Sequence, residues 1–329
     1  MVQDKELAAK VADYTKEFQK IKKELSKSVV GQERTVNAVL KGLIANGHLL
    51  LEGVPGIAKT LLVRSVAAIM NCTFSRIQFT PDLLPTDIVG ITAFERDKGF
   101  YVVKGPIFAN FVLADEINRA PPKVQSALLE CMQERQATIG KEAFPLEPPF
   151  FVLATQNPIE SLGTYPLPDA QVDRFLFKLR VGYPSVDEEE KILTTNMTIR
   201  KFEESGLQPV LDTCKLLEIQ EDVKRIYVDS KVEKYIVRIV DATRNPDKYK
   251  LKLGKYIEWG SSPRASIGLY ISSKAEAMLN GRLFVTPQDV KEVAPDVLRH
   301  RLIVNYEGQA EAVSSDDLVK EILDRVPVP

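Results

Sequence analysis

The sequence predicts an α/β protein in which a parallel sheet of five strands lies between helices and is followed by a smaller, all-helical domain. Three observations carry this. Five short apolar runs, residues 48–52, 74–79, 111–115, 150–155 and 175–181, are separated mostly by helical segments or long insertions, the pattern of strands joined by crossovers. The first run meets a helix through the glycine-containing turn "GVPGIAKT", residues 53–60. After "YPSVDEEE" the strand pattern stops and the remaining segments read as mostly helical. The expected division is an N-terminal helix over 1–28, an α/β core over 29–183 and a helical domain over 184–329.

In chain order, Leu7, Val11, Tyr14, Phe18, Ile21 and Leu25 recur at alternating steps of four and three. That spacing predicts an amphipathic helix packed on the body of the protein or on a neighbouring subunit. A second helix runs from about Gln32 to Ala45 and stops at Asn46-Gly47, a C-cap pair. "GHLLLEG" reads as a buried strand, and "LLVRSVAAIM" places Leu61, Leu62, Val66 and Ile69 on one helical face. "TAFERDKGFYVV" reads as a β-hairpin around Asp97-Lys98-Gly99. Cys131 shares helical spacing with Ala127 and Leu128, which marks a core thiol. Pro184 breaks the chain, Ser185 or Asp187 can cap, and the acidic run suits a first helical turn. Further on, Val232, Ile236, Ile239 and Val240 share a face, and "TPQDV" places Thr286 at an N-cap, Pro287 at N1 and Asp289 at N3.

The 329 residues suggest two domains, and 44% hydrophobic with 27% charged residues is the balance of a soluble globular protein. A net charge of −1 weighs against a nucleic-acid-binding protein, although a balanced total leaves room for a local basic patch. The apolar runs fall far short of the ~18 residues of a membrane span. The first residues, "MVQDKELAAK", lack the apolar core of a signal peptide. Cys72, Cys131 and Cys214 are too few and too scattered for a zinc site or a disulfide framework. These features predict a cytoplasmic protein.

The turn "GVPGIAKT" ends in Lys59-Thr60, as the phosphate-binding pattern G-x-x-x-x-G-K-[ST] does, but Ala58 stands where that pattern has glycine. It joins a strand to a helix N-terminus, where free backbone N–H groups and the helix dipole can hold phosphate oxygens. In that role Lys59 reaches the β- and γ-phosphates and Thr60 ligates Mg²⁺. Gly53 and Gly56 then serve the tight turn and the close approach of backbone to phosphate. Ala58 is accommodated if its φ is negative and its methyl points away from the phosphates. The plainer alternative is an ordinary strand–turn–helix corner.

"FVLADEIN" is an apolar strand ending in two acids, with Asp115 placed to hold Mg²⁺ through water and Glu116 to polarise an attacking water. A strand running into Asp-Glu is common, and this one gains meaning from the loop before it. Asn157, in "FFVLATQNP", lies beyond a strand end, where ligands collect in open parallel sheets, and could orient water; Asn-Pro is also an ordinary turn signal. Arg174 in "DAQVDRF" and Arg264 in "SSPRASIGL" are uninformative singly.

Together, "LLEGVPGIAKT", "ADEINRAPPKVQSALLECMQER", "LATQNPIESLGTYPLPDAQVDRF" and "SSPRAS" resemble the MoxR family of AAA+ ATPases, over about residues 30–306. That family also carries alanine before the loop lysine. The resemblance implies a P-loop AAA+ core with a helical lid. It places Lys59 and Thr60 in Walker A, within a nucleotide-binding loop running through Gly53, Val54, Pro55, Gly56, Ile57 and Ala58 to Leu61. By the same resemblance Asp115 and Glu116 form Walker B, Asn157 is sensor 1, Arg174 is the arginine finger reaching a neighbour's ATP, and Arg264 is sensor 2. "VVGQE", residues 29–33, resembles the segment lining the adenine, which adds Val30 and Gly31. Thr60 and Asp115 would hold Mg²⁺. The family's extra segment in helix 2 would cover residues 87–105. Residues 246–260, with four lysines and the only Trp, read as a surface flap with no specified ligand.

The resemblance implies hydrolysis of ATP to ADP and phosphate in a homo-oligomeric ring, expected to be hexameric, that remodels or matures partner proteins, often ones with von Willebrand A domains. No nucleic acid partner is expected. One alternative is a nucleic-acid-dependent motor, because the helix-2 hairpin is similar to those of MCM helicases; the near-neutral charge and the lack of an appended nucleic-acid domain weigh against it. A second is a switch that holds ATP and hardly turns over, which the presence of both Glu116 and Asn157 opposes.

Overall fold

The computed structural model describes residues 2–53, 59–97, 99–157, 163–195 and 206–329. Val54, Pro55, Gly56, Ile57 and Ala58 of the expected phosphate loop, and Lys98 at the hairpin tip, lie outside the described residues. Helix α1 (Val2–Leu25) turns the expected stripe inward: Leu7, Val11, Tyr14, Phe18, Ile21 and Leu25 are all buried within this subunit. Helix α2 (Glu33–Ile44) ends in a Schellman turn, with Asn46 at a φ of 52° and the Gly47 N–H donating to the Gly42 carbonyl at 2.9 Å. A Cβ on Gly47 would stand 2.4 Å from Leu176, so the close approach of the two segments requires glycine.

The core continues through β1 (Leu49–Gly53), α3 (Lys59–Ile69), β2 (Phe74–Gln78) and α4 (Pro85–Val89). Next come the hairpin β3 (Gly90–Glu95) and β4 (Gly99–Lys104), then β5 (Phe111–Asp115) and α5 (Pro122–Glu134). A second hairpin, β6 (Gln136–Ile139) and β7 (Glu142–Pro145), precedes β8 (Phe151–Gln156), α6 (Asp169–Val172) and β9 (Phe177–Val181). Five strands form one sheet in the order β2-β5-β8-β1-β9, and every pairing is parallel. All five are those expected from the apolar runs. The β6–β7 hairpin was not: its ladder is short, and its visible marks are Gly140 at a φ of 65° and the alternation of buried Ala137 and Ile139 with exposed neighbours.

Strand alternation divides the interior. Leu49 and Leu51 join a cluster containing Leu62 and Val66 of α3, while Leu50 joins a second cluster with Val124 and Leu128 of α5. Cys131 is buried in the second cluster, where burial pushes its thiol up to about 12, as a core thiol requires.

After β9 come α7 (Val186–Thr195), capped by Ser185 and Glu188 in reciprocal hydrogen bonds, then α8 (Thr213–Asp222) and α9 (Ser230–Arg244). The lid ends with β10 (Ile257–Trp259), α10 (Pro263–Leu279), α11 (Pro287–Leu298), β11 (Ile303–Val304), α12 (Tyr306–Ala310) and α13 (Ser315–Arg325). Thr286, Pro287 and Asp289 take the expected N-cap, N1 and N3 positions of α11, and Thr286 and Asp289 close a capping box there. The helices carry the lid, and β10 with β11 adds one short antiparallel pair, formed in part by the lysine-rich 246–260 stretch. The α3-side apolar cluster runs on without a break into the lid through Ile239, Leu269, Val293 and Leu318.

Candidate functional site

Strand β1 sits between β8 and β9, so its C-terminal end lies where the chain crosses from one flank of the sheet to the other, the usual ligand position in such sheets. Lys59 heads α3 there and donates from Nζ to the Gly53 carbonyl at 2.7 Å, closing the base of the loop. Asp115 ends β5, Glu116 follows it, and Asn157 follows the last residue of β8. Burial lowers the Lys59 ammonium from its ordinary value, and the Asp115 and Glu116 carboxylates act against that, so the three charges share one field. Thr60 is half-buried in the first turn of α3, and Asn157 is buried.

The two acids are held by partners that the sequence did not disclose. Thr155 on β8 donates its hydroxyl to Asp115 Oδ1 at 2.6 Å and accepts the Glu116 N–H at 2.8 Å. Arg76 on β2 donates to Asp115 Oδ2 from Nη2 at 2.6 Å and from Nε at 3.1 Å. Gln78 and Arg119 each donate to Glu116 Oε2 at 3.0 Å. Glu116 itself takes a left-handed conformation, φ 58° and ψ 49°, uncommon for a residue with a Cβ. Asn118 donates to the Asn157 carbonyl at 3.5 Å, and Gln125 to the Ile117, Ala120 and Tyr165 carbonyls, fixing the turn after Glu116.

The oxygen donors at this strand end fit Mg²⁺, which takes one or two protein ligands beside phosphates and water. Thr60 and Asp115 would hold it, and the ion would neutralise phosphate charge.

Beside α3, a cavity of about 730 Å³ is lined by Val30 and Gly31, the residues expected near a base, and by Leu61, expected at the end of the nucleotide-binding loop. Leu61 is half-buried and faces this cavity, unlike Leu62, Val66 and Ile69 on the core face of α3. The sequence missed Arg34, Arg180, Tyr183 and Ile192 in the same lining. Gly31 has a φ of 72°, and a Cβ there would meet the Glu188 side chain at 2.6 Å.

Arg174 and Arg264 are not at this end. They line one cavity of about 280 Å³ together with His48, Arg135 and Arg301, beside the residues that precede β1 and β9. From His48 to Gly53 the strand rises about 16 Å, so both arginines stand across the sheet from Lys59. Asp173 organises them. It accepts from Arg301 Nε at 2.7 Å and from Ser262 Oγ at 3.0 Å, and Arg264 stands 3.7 Å from it. Arg174 donates to the Leu129 carbonyl at 3.2 Å. His48 accepts the Val152 N–H and shares a hydrogen bond with the Met132 carbonyl; burial, then Arg135, lowers its pKa to about 3. It is therefore neutral, with the proton on Nε2.

Residues 48–177 match a family model described as ATPase family associated with various cellular activities (AAA), and residues 253–322 match the AAA lid domain. The chain is 48% identical over 313 residues to Chaperone MoxR1 of Mycobacterium tuberculosis, covering 93% of this chain and 81% of that protein. It is 31% identical over 336 residues to Protein MoxR of Paracoccus denitrificans, covering 97% and 98%. The crystal structure of a candidate ATPase from Cytophaga hutchinsonii matches with a TM-score of 0.92 at 46% identity, over 100% of both chains. Since the two models fall on core and lid in turn and the relatives span nearly the whole length, the chain belongs to the MoxR family of AAA+ ATPases.

Proposed function

We propose that this protein hydrolyses ATP to ADP and phosphate at a site completed by a second copy of itself, in a ring that remodels or matures partner proteins. The observation that supports it is the division of charged groups between the two ends of the sheet. Lys59, Asp115 and Glu116, with the uncharged Asn157, lie at the C-terminal ends of the neighbouring strands β1, β5 and β8, while Arg174 and Arg264 gather at the other end. No single subunit brings both sets to one phosphate, and a head-to-tail contact that closes on itself does.

In this reading Lys59 meets the β- and γ-phosphates, Glu116 accepts a proton from the attacking water, and Asn157 orients that water. The neighbour's Arg174 meets the charge that grows on the transferred group, a contribution of about 10³–10⁵ in rate where such arginines act. The expected ring has six members. The name of the mycobacterial relative, a chaperone, agrees with protein clients, and the resemblance points to clients with von Willebrand A domains. Among the described residues no helix is long and apolar enough to cross a membrane, and we place the activity in the cytoplasm. Phosphate release measured across a dilution series tests the shared site. The rate per subunit should fall as assemblies seen by light scattering dissociate; a constant rate from monomers would overturn it.

A further inference from the structure

The base-side cavity carries two guanidinium groups, and each is tied to a carboxylate of the lid. Arg180 on β9 donates from Nη1 to Asp316 Oδ2 on α13 at 2.9 Å. Arg299 donates from Nε to the other oxygen of Asp316 at 2.9 Å and from Nη1 to Asp296 Oδ1 on α11 at 2.7 Å. Arg34 on α2 brings Nη2 to 3.8 Å from that same Asp296 oxygen. The result is an alternating chain, Arg34, Asp296, Arg299, Asp316, Arg180, whose middle lies in the lid and whose two ends line one cavity. Arg299 is buried and also donates to the Lys178 carbonyl of β9, so its charge is met on several sides. Along this chain three guanidinium groups face two carboxylates, and Glu189 is the one carboxylate in the cavity lining.

Exposed ion pairs at the two ends would stabilise the fold little by themselves. Their value lies in placement. A planar guanidinium can lie over an aromatic ring or donate to ring nitrogens, and a purine offers both a π face and acceptor edges. The remaining walls, among them Leu61, Val181, Tyr183 and Ile192, suit a flat apolar ring.

We infer that Arg34 and Arg180 are positioning residues for the base of the bound nucleotide, and that Asp296, Arg299 and Asp316 make the lid part of that grip. The inference rests on the ATP reading above. Asp316 does not line the cavity, yet its loss should weaken base binding by releasing Arg180.

The test uses Glu116→Gln protein, so that nothing turns over, titrated calorimetrically with Mg²⁺ and either ATP or tripolyphosphate, which lacks the base. Asp316→Asn and Arg180→Ala should each weaken ATP binding about five-fold, the scale of one charge pair. Combining them should add little more. Tripolyphosphate affinity should hold within about two-fold, and Asp316→Glu should recover ATP affinity. A merely structural role would lower the unfolding midpoint and move both ligands alike, or neither, and either result overturns the inference. An Arg180→Ala loss without an Asp316→Asn loss overturns the role of the lid. If the parent protein binds no ATP, the functional reading falls, and this inference with it.

Discussion

Gln78 donates from Nε2 to Glu116 Oε2 at 3.0 Å, from the last residue of one strand to the residue just beyond the end of its neighbour. The same oxygen receives Arg119, so the proposed base has one oxygen taken by two donors. A donor held by that oxygen must be displaced before the oxygen can take a proton from water. Gln78→Leu should therefore raise ATP turnover about 2- to 5-fold at saturating ATP, within the range of a tuned general base. A fall in turnover with an unchanged unfolding midpoint would mean that Gln78 orients Glu116 productively.

Lys59 and Glu116 should separate binding from chemistry. Lys59→Ala removes the cation closing the loop at Gly53 and should weaken ATP binding about 100-fold, the scale of a lost charge-assisted contact. Glu116→Gln should keep affinity within about three-fold and lower turnover by at least about 10²-fold. Calorimetry and phosphate release decide this; a Gln variant as fast as the parent removes Glu116 from the mechanism.

Arg174 should act on a neighbour. Lys59→Ala and Arg174→Ala proteins should each be inactive alone and regain activity when mixed, because some interfaces then pair an intact lysine with an intact arginine. Tagged subunits verify that mixed assemblies form. If they form and stay inactive, Arg174 has no trans role, and Arg264, in the same cavity, is the next arginine to substitute.

Both histidines of the chain are buried, and both have lowered pKa values. For His48, burial and then Arg135 bring the value from 6.5 to about 3. A group with a depressed folded pKa stays neutral in the native state while the unfolded chain takes up its proton. Stability from His48 is thus full above about pH 6.5 and falls as pH drops toward 3, by about 2 kcal/mol at pH 5. His300 acts with the same sign. The unfolding midpoint should fall between pH 7 and pH 5, and His48→Gln should flatten that fall. A midpoint level over this range sinks the assignment of His48 as neutral.

Position along the chain made half of the candidate site legible. Lys59, Asp115, Glu116 and Asn157 stand at strand ends or a helix start, and apolar periodicity marks such places. The stripe from Leu7 to Leu25 was legible for the same reason. Arg76, Gln78 and Thr155 were not, because they act across strands whose order the sequence does not print. Arg301 reaches Asp173 across 128 residues, and no local pattern joins them. The resemblance supplied Arg174 and Arg264 but not their shared cavity. Leu61 shows a subtler limit: helical spacing assigned it to the core face, and the fold turned it toward the base-side cavity.

The unbroken apolar cluster from α1 through one face of the sheet to α13 limits how the molecule can deform. A lid that swung open would expose Leu176, Leu269 and Val297 to water, at about 25 cal/mol for each Å² of apolar area uncovered. Small sliding of packed helices uncovers far less. Core and lid should therefore move by shear, and a calorimetric melt should show a single cooperative peak, because the interior on the α3 side of the sheet is shared and losing either part opens it.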